Sequence, residues 1–550
     1  MPSLLIDTVV DGTVNFTALS VLPRVGGGGG RAKTNGDSRE FPLLPIAGSK
    51  DWLPSMVDVG QQETAMRELA KESKENRGDE CDAPDAFFAV DLECVLHKYR
   101  RWQECFPRVK PFYAVKCNPN RAIVRVLATT PGCGFDCASP AEMDKVLECG
   151  VDPARIIYAN PCKELAALEY ALSAGIVTMT FDSRDELRKI RHLLDARGKA
   201  SGISRGTGNS SIYVQMVLRL RVPDDHSECP LGEKYGAVED ICSELIALAG
   251  ELHLPLVGVS FHCGSGCQDA QAYPAALAVA RVVFDLAARQ GVTLTLLDIG
   301  GGFPGWDGSE YVYEKTASEA EVVGSSASAG KDSAPPLSLE KIAEVTIPVL
   351  DKLFPPSSGV KIIAEPGRYF VEASHVLFAR IYAKRKLAVQ AAGSAAGETN
   401  GHGGTTSGSH RGATRRTTAY FIDEGVYGCF KDRLLCDVDF EPCPVFLIPA
   451  AGGRASSMAD HGLKNASNGA VEGDGDKDKD DNEEEEDAVV MGPSGLPADV
   501  VARKRLPKFL GPGDWLYFSR MGAYTTSIAT VASSAILETP YRYVASAPAK

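Results

Sequence analysis

The chain has 550 residues, 44% of them hydrophobic, which is enough for two domains with ordinary cores. Its formal net charge is −14 at pH 7, of which the run at 472–487 contributes −9, so no basic surface suggests nucleic-acid binding. No apolar stretch approaches the ~20 residues that span a bilayer, and the first residues lack the pattern of a secretory signal, so we expect a cytoplasmic protein without a membrane partner.

Residues 1–85 are expected to form a poorly ordered extension, apart from a strand or helix that joins the C-terminal domain. Three later segments, at about 309–338, 391–416 and 451–488, are interpreted as insertions because they have too little apolar area to offset their ordering entropy. The last segment ends in the acidic run. It faintly resembles a calcium loop, but a lysine stands where such a loop needs glycine, which favours a solvated acidic loop.

Between these segments, short apolar or β-branched runs alternate with helical patterns. Eight such runs predict strands, at Phe112–Cys117, Gly134–Ser139, Ile156–Asn160, Val177–Ser183, Ile212–Leu220, Leu256–Gly264, Leu294–Gly302 and Lys361–Glu365. Strand followed by helix in series predicts an α/β fold, a (β/α)8 barrel of the TIM type over 86–374. From residue 375 to 550 the pattern favours a mostly β domain, with strands expected at Val376–Val389, Arg416–Tyr427, Pro444–Ala450, Asp514–Val531 and Tyr541–Ala545.

The fifteen cysteines lie between Cys81 and Cys443 and include no CxxC pair of the metal-binding type. We interpret them as free thiols in a reducing compartment, and we expect no metal site.

The carboxyl ends of the predicted barrel strands carry specific polar residues. In a barrel these ends meet at one mouth, where they build the active site. Each residue alone has an ordinary structural explanation, but together they bring an amine, carboxylates, an imidazole, a guanidinium and bare glycine backbone to one place: Lys116, Asp136, Arg219, His262, Ser265, the glycines 300–302, Glu365 and Arg368.

Pyridoxal phosphate requires such a set. It needs a lysine amine for its aldehyde carbon, and glycine backbone with an arginine for its phosphate. It also needs a partner for its pyridine nitrogen, and the carboxylate of Glu365 suits that task because it keeps the nitrogen protonated.

Six segments in order closely resemble the eukaryotic ornithine decarboxylase family of the alanine-racemase-like class of pyridoxal phosphate enzymes, from about residue 86 to 524. They are Pro111-Phe-Tyr-Ala-Val-Lys116-Cys-Asn118, Gly134-Phe-Asp136-Cys-Ala-Ser139, Ser260-Phe-His262, Gly264-Ser-Gly-Cys267, Leu297-Asp-Ile-Gly-Gly-Gly-Phe-Pro-Gly305 and Ala364-Glu-Pro-Gly-Arg-Tyr369. The resemblance implies decarboxylation of L-ornithine to putrescine and carbon dioxide, and head-to-tail homodimers with shared sites.

The resemblance also implies roles for single residues. Lys116 would hold the cofactor covalently, Glu365 would hold the pyridine nitrogen and His262 would stack on the ring. Asp136 and Arg219 would lie near the cofactor, and Asp437 would meet the substrate's distal amine. The phosphate end would be bound by residues of several loops: Ser265, Gly301, Gly302, Gly367, Arg368, Tyr427 and Tyr524.

One segment departs from the family pattern. The family's Gly-Pro-Thr/Ser-Cys-Asp supplies a cysteine for protonation at Cα and an aspartate for the distal amine, whereas here Gly495 and Leu496 follow Ser494. Asp499 could replace the aspartate only if the loop is rebuilt. Two alternatives therefore stay open: a decarboxylase of lysine, arginine or diaminopimelate, and a non-catalytic regulator similar to antizyme inhibitors.

Overall fold

The computed structural model describes residues 4–10, 13–18, 86–200, 213–232, 234–306, 337–390, 414–436, 438–445, 485–529 and 541–544. Most of each insertion expected at 309–338, 391–416 and 451–488 lies outside these residues. Within the described part of the chain, no helix is long and apolar enough to cross a membrane, and no cluster of three or more His, Cys, Asp or Glu could hold a metal ion.

Eight parallel strands close into a barrel, which confirms the predicted fold class. In the order around the barrel they are β4 (Val109–Ala114), β5 (Gly134–Cys137), β6 (Ile156–Tyr158), β7 (Thr178–Phe181), β8 (Gln215–Arg219), β10 (Leu256–Ser260), β12 (Leu296–Asp298) and β13 (Lys361–Ala364). The last strand pairs with the first, Ile362 with Val109, so the described sheet has no free edge there. Seven of the eight predicted runs contain a whole observed strand, and the run Phe112–Cys117 covers the second half of β4.

Amphipathic helices cover the outside of the barrel, each with its apolar face buried against the strands. They are α1 (Leu92–Cys105), α2 (Arg121–Thr129), α3 (Pro140–Leu147), α4 (Leu165–Ser173), α5 (Arg184–Ala200), α6 (Glu239–Glu251), α7 (Ala272–Arg289) and α8 (Leu339–Leu353). Inside the barrel, Ile157, Val217 and Ile363 form a separate apolar cluster with Ala159. The barrel interior is therefore packed, and ligands have access only at its ends.

A second sheet follows the barrel. Its strand order is β16 (Cys443–Pro444), β19 (Trp515–Phe518), β14 (His375–Gln390), β15 (Thr414–Ile422), β17 (Glu485–Met491) and β18 (Val500–Pro507). Two more strands extend this sheet. Strand β3 (Phe87–Asp91) pairs with β14, and β20 (Tyr541–Val544) pairs with β3. The strand β3 thus belongs to this sheet although it lies inside the range expected for the barrel.

The remaining described elements are short. Strands β1 (Leu4–Val10) and β2 (Thr13–Ala18) form an antiparallel hairpin, and β9 (Ser227–Cys229) pairs with β11 (Ser265–Cys267) at the barrel mouth. The helices α9 (Arg368–Val371) and α10 (Asp432–Leu435) have one turn each.

Two sequence-based expectations are wrong. The acidic run does not end as a solvated loop, because Glu485–Asp487 open strand β17, where Glu486 forms ion pairs with Lys384 and Lys386 of β14. Strand β18 had no predicted counterpart either. Not all cysteines are free thiols, because Cys229 and Cys436 form a disulfide although 207 residues separate them.

Candidate active site

The barrel fold brings the predicted site residues to one mouth. Lys116 lies in a single turn directly after β4, Asp136 lies within β5 and Arg219 ends β8. His262 follows β10 and Glu365 follows β13. One cavity is lined by Lys116, His262, Ser265, Gly302, Glu365, Gly367, Arg368 and Tyr524, together with Ala114, Gly266 and Phe303.

Lys116 and Asp136 form an ion pair in this mouth. The Lys116 Nζ lies 2.5 Å from Asp136 Oδ2, and the Asp136 side chain is completely buried whereas that of Lys116 is partly exposed. Burial lowers the pKa of Lys116, but the negative charges of Asp136 and Glu365 raise it more, so the net pKa lies above its ordinary value. In the absence of a ligand, Lys116 is therefore protonated, and its ammonium group is bound by Asp136.

Glu365 and Asp298 form a second buried carboxylate group. Asp298 Oδ1 accepts the backbone N–H of Gly300 at 2.8 Å. Burial, with the nearby charges of Asp298 and Asp136, raises the pKa of Glu365 well above its usual range. Burial likewise raises the pKa of Asp298 to about 7. Glu365 Oε1, Asp298 Oδ2 and Asp136 Oδ1 are all buried without a hydrogen-bond partner within the described ranges.

The His262 ring contacts glycine backbone at both of its nitrogens. Its Nδ1 accepts the backbone N–H of Gly264 at 3.0 Å, and a Cβ at Gly301 would lie only 2.6 Å from Nε2. Burial, followed by the positive charges of Arg219 and Lys116, lowers the pKa of His262 well below its ordinary value. The imidazole is therefore neutral, and it lines the cavity.

The opposite end of the cavity has the chemistry of an anion cradle. Gly302 has φ +105, and a Cβ there would lie 2.6 Å from the carbonyl oxygen of Gly264, so only glycine fits this turn. The Arg368 guanidinium lies 5.3 Å from the ring centroid of Tyr524. The Arg368 side chain is nine-tenths buried, and its Nε has no hydrogen-bond partner among the residues that the structure describes.

These features fit pyridoxal phosphate. The unpaired buried carboxylate oxygen of Glu365 suits the protonated ring nitrogen, and the unpaired Arg368 Nε with the glycine turn suits the phosphate. Lys116 supplies the amine, and the neutral imidazole of His262 in the same cavity suits an aromatic ring.

Several sequence-predicted residues are not among those that line this cavity. Asp136 is paired with Lys116 beside it, and Arg219 and Gly301 are also outside the lining set. Tyr427 is partly buried in the turn after β15, outside the set that lines it. Asp437 lies outside the described residues. Asp499, the possible replacement for the family's aspartate, is buried, and its carboxylate accepts the backbone N–H groups of Val426 and Ser494, both at 2.9 Å. That carboxylate holds two turns together and is not available for a substrate.

Sequence reasoning missed Asp298 and Glu142. Asp298 ends β12 just before the glycine run, so its position at a strand end was the available signal. Glu142 lines a second cavity of about 320 Å³ beside Lys116, together with Ser139 and Lys145. Its carboxylate accepts the N–H of Ala138 at 2.8 Å, and Ser139 caps α3 in return. The Ser-Pro-Ala-Glu sequence is a capping box that could have located it.

Comparisons with known proteins agree with this geometry. Residues 92–372 match the family model of the pyridoxal-dependent decarboxylase, pyridoxal binding domain. Ornithine decarboxylase of Mus pahari is 35% identical over 84% of this chain and 80% of its own length. Antizyme inhibitor 2 of Xenopus laevis is 36% identical over 80% of this chain and 77% of its own length. The arginine decarboxylase of Paramecium bursaria Chlorella virus, solved with agmatine bound, superimposes with a TM-score of 0.63, 26% identity, and coverage of 88% of this chain and 100% of that one.

Proposed function

Because the chain belongs to the pyridoxal-dependent decarboxylase family, we propose that it decarboxylates L-ornithine to putrescine and carbon dioxide in polyamine synthesis. The observation that carries the proposal is the convergence of the Lys116–Asp136 ion pair with His262, Glu365 and Arg368 on one cavity. A chain that served only as a regulator would have no need of this arrangement.

Lys116 is the residue that would hold the cofactor. Its Nζ is held 2.5 Å from Asp136 Oδ2, so the amine is oriented toward the cavity and its proton can pass to a buried carboxylate. Bound pyridoxal phosphate supplies a ring that accepts the electron pair left at Cα when the carboxylate leaves as carbon dioxide.

Glu365 would hold a proton at the ring nitrogen. Its burial raises its pKa, and its unpaired Oε1 can share a proton with the ring nitrogen. Asp298 and Asp136 add negative charge nearby, which stabilises a positive charge on the nitrogen.

The return of a proton to Cα is the step in which this chain departs from its relatives. The turn at 492–499 carries no cysteine, and the only acid in it, Asp499, is bound to backbone N–H groups. Lys116, whose ammonium form is favoured by Asp136, is the group in the cavity that can hold a proton for this step. Loss of a dedicated acid typically costs ~10²–10⁴ in rate, so we expect slow turnover.

Support for ornithine comes from sequence similarity. Relatives named ornithine decarboxylase reach 34–36% identity over four-fifths or more of this chain, against 26% for the viral arginine decarboxylase. The related regulator, antizyme inhibitor 2, reaches 36%, so identity alone supports a regulatory role equally well. The complete cofactor set of this chain favours the enzyme.

A homodimer is the second part of the proposal. The family resemblance implies one, and three large apolar side chains, Leu434, Leu435 and Leu496, are each about half exposed or more. Light scattering on the purified protein should give twice the chain mass of 58.6 kDa.

The test is product analysis by mass spectrometry. Purified protein with added pyridoxal phosphate is incubated separately with L-ornithine, L-lysine, L-arginine and diaminopimelate. Lys116→Ala removes the amine, and Lys110→Ala is the matched control because it replaces an exposed lysine at the other end of the same strand.

Putrescine formed by the wild type and the Lys110→Ala variant, and lost in Lys116→Ala, supports the proposal. Selective conversion of lysine, arginine or diaminopimelate would mean that this amino acid, and not ornithine, is the substrate. A protein that shows no cofactor absorbance and consumes none of the four amino acids would be better explained as a regulator.

A further inference from the structure

The guanidinium of Arg368 is surrounded by acids. Three carboxylates, those of Glu228, Glu372 and Asp432, each lie 3.9 Å from one of its terminal nitrogens. These distances exceed those of hydrogen-bonded ion pairs, so the guanidinium is attracted by all three and is not saturated by any of them. The three carboxylates share this guanidinium, and Arg520 acts on Glu228 as a second cation, so the carboxylates still outnumber the cations at the cradle.

Glu372 has a structural task, whereas Glu228 and Asp432 have none of comparable strength among the described residues. Glu372 accepts the backbone N–H of Gly305 at 3.2 Å and so supports a turn. The polar partner of Glu228 is the amide of Gln268 at 3.2 Å on the surface. Its carboxylate also lies against Gly266 in the cradle itself, where an added Cβ would clash with Oε2.

A disulfide ties the two elements that carry Glu228 and Asp432. Cys229 follows Glu228 directly, and Cys436 follows the helix that begins with Asp432. The backbone N–H of Cys436 donates to the carbonyl of Asp432 at 2.9 Å. The disulfide therefore keeps both carboxylates beside Arg368, on elements that come from the barrel mouth and the β domain.

We propose that Glu228 and Asp432 form an acidic collar that competes with the cofactor phosphate for Arg368 and thereby sets the cofactor affinity of this chain. The proposal rests on the cofactor binding of the proposed function. A phosphate dianion that enters the cradle meets the attraction of one guanidinium and the repulsion of the carboxylates, so each carboxylate weakens its binding. The collar acts on the phosphate and leaves the ring and the aldehyde of the cofactor untouched.

The collar should lose its effect when it is protonated. Burial raises the pKa of Asp432 to about 6, against the lowering by Arg368 and with smaller contributions from Glu228 and Glu372. Burial also raises the pKa of Glu228, which Arg368 and Arg520 lower and Glu372 raises. At pH 8 Asp432 is charged and opposes the phosphate, whereas at pH 5.5 it is largely neutral.

The experiment measures equilibrium binding to the full-length protein after removal of bound cofactor. Dissociation constants are determined by absorbance for pyridoxal phosphate and for pyridoxal, which lacks the phosphate, at pH 8 and pH 5.5. The variants are Glu228→Gln and Asp432→Asn, and the matched control is Glu104→Gln, which replaces an exposed glutamate on α1.

We expect each collar variant to bind pyridoxal phosphate about three- to tenfold more tightly than the wild type at pH 8, since one charge beside the phosphate is removed. The gain in affinity of Asp432→Asn should shrink at pH 5.5. The collar variants should bind pyridoxal as the wild type does, and Glu104→Gln should bind pyridoxal phosphate as the wild type does. Equal or weaker binding of pyridoxal phosphate by both variants, or an equal gain for pyridoxal, overturns the collar but leaves the decarboxylase intact. A wild type that binds no pyridoxal phosphate overturns both proposals.

Discussion

Replacement of Asp499 by alanine is expected to destabilise the β domain by about 2–4 kcal/mol. The Asp499 side chain is buried, and Oδ1 accepts the N–H of Val426, which is completely buried, at 2.9 Å. Loss of this charge-assisted bond leaves a buried donor without an acceptor, which costs about 1.5–3 kcal/mol. The second bond, from the N–H of Ser494, adds only about 1 kcal/mol because Ser494 is exposed and water can replace the carboxylate.

Urea unfolding followed by circular dichroism measures this loss. Asp499→Asn keeps one carbonyl oxygen for Val426, so it should lose about half as much stability as Asp499→Ala. The control is Asp185→Ala, whose side chain is 93% exposed and whose effect should stay within about 0.5 kcal/mol. The same proteins are assayed for decarboxylation, where Asp499→Asn should leave KM for the amino acid unchanged. A raised KM at undiminished stability would refute the reasoning, because it would mean that Asp499 meets the substrate and not the backbone.

Three further outcomes are expected from the structure. Glu186→Ala leaves the ammonium of Lys163, which is fully buried and 2.9 Å from Glu186, without its carboxylate, and should cost about 3–5 kcal/mol in urea unfolding; a loss below 1 kcal/mol would contradict the pairing. Reduction of the Cys229–Cys436 disulfide, which spans 207 residues, should lower the free energy of unfolding of the wild type by about 2–4 kcal/mol. The same treatment should leave Cys436→Ser unchanged. Alkylation of both thiols without reductant would contradict the bond. Burial lowers the pKa of His375 to about 3, so the unfolded protein takes up a proton at this residue first as the pH falls below about 6.5. At pH 5 the wild type should therefore have lost about 2 kcal/mol of its free energy of unfolding that His375→Gln does not lose. Parallel profiles of stability against pH for the two proteins would contradict this.

The barrel could be predicted because its signal is local. A parallel strand inside a barrel is covered on both faces, so it reads as a short continuous apolar run, and each helix that follows carries a 3.6-residue apolar period. The runs around Ile156 and Lys361 needed no information from distant residues. Strands β17 and β18 were not predicted because the contacts that stabilise them come from distant parts of the chain. Charged residues of Glu485–Asp487 are stable in a strand only because Lys384 and Lys386 of another strand lie beside Glu486.

The sequence by itself determined which chemical groups reach the barrel mouth. Lys116, Asp136, His262 and Glu365 stand at strand ends, and parallel strands of a closed barrel present those ends on one face whatever the details of packing. Their identity and order therefore predicted the cofactor, whereas the class of reaction was implied by the resemblance to the ornithine decarboxylase family.

Only the tertiary structure decided what each group faces. The use of Asp499 as a backbone anchor, the disulfide between Cys229 and Cys436, and the carboxylates around Arg368 all join residues that are far apart in the chain. Such contacts arise where loops of the barrel meet loops of the β domain, and no periodicity or spacing encodes them. Burial and the charges packed around a buried group set its pKa, so the pKa of each site residue depends on these neighbours and not on its place in the sequence.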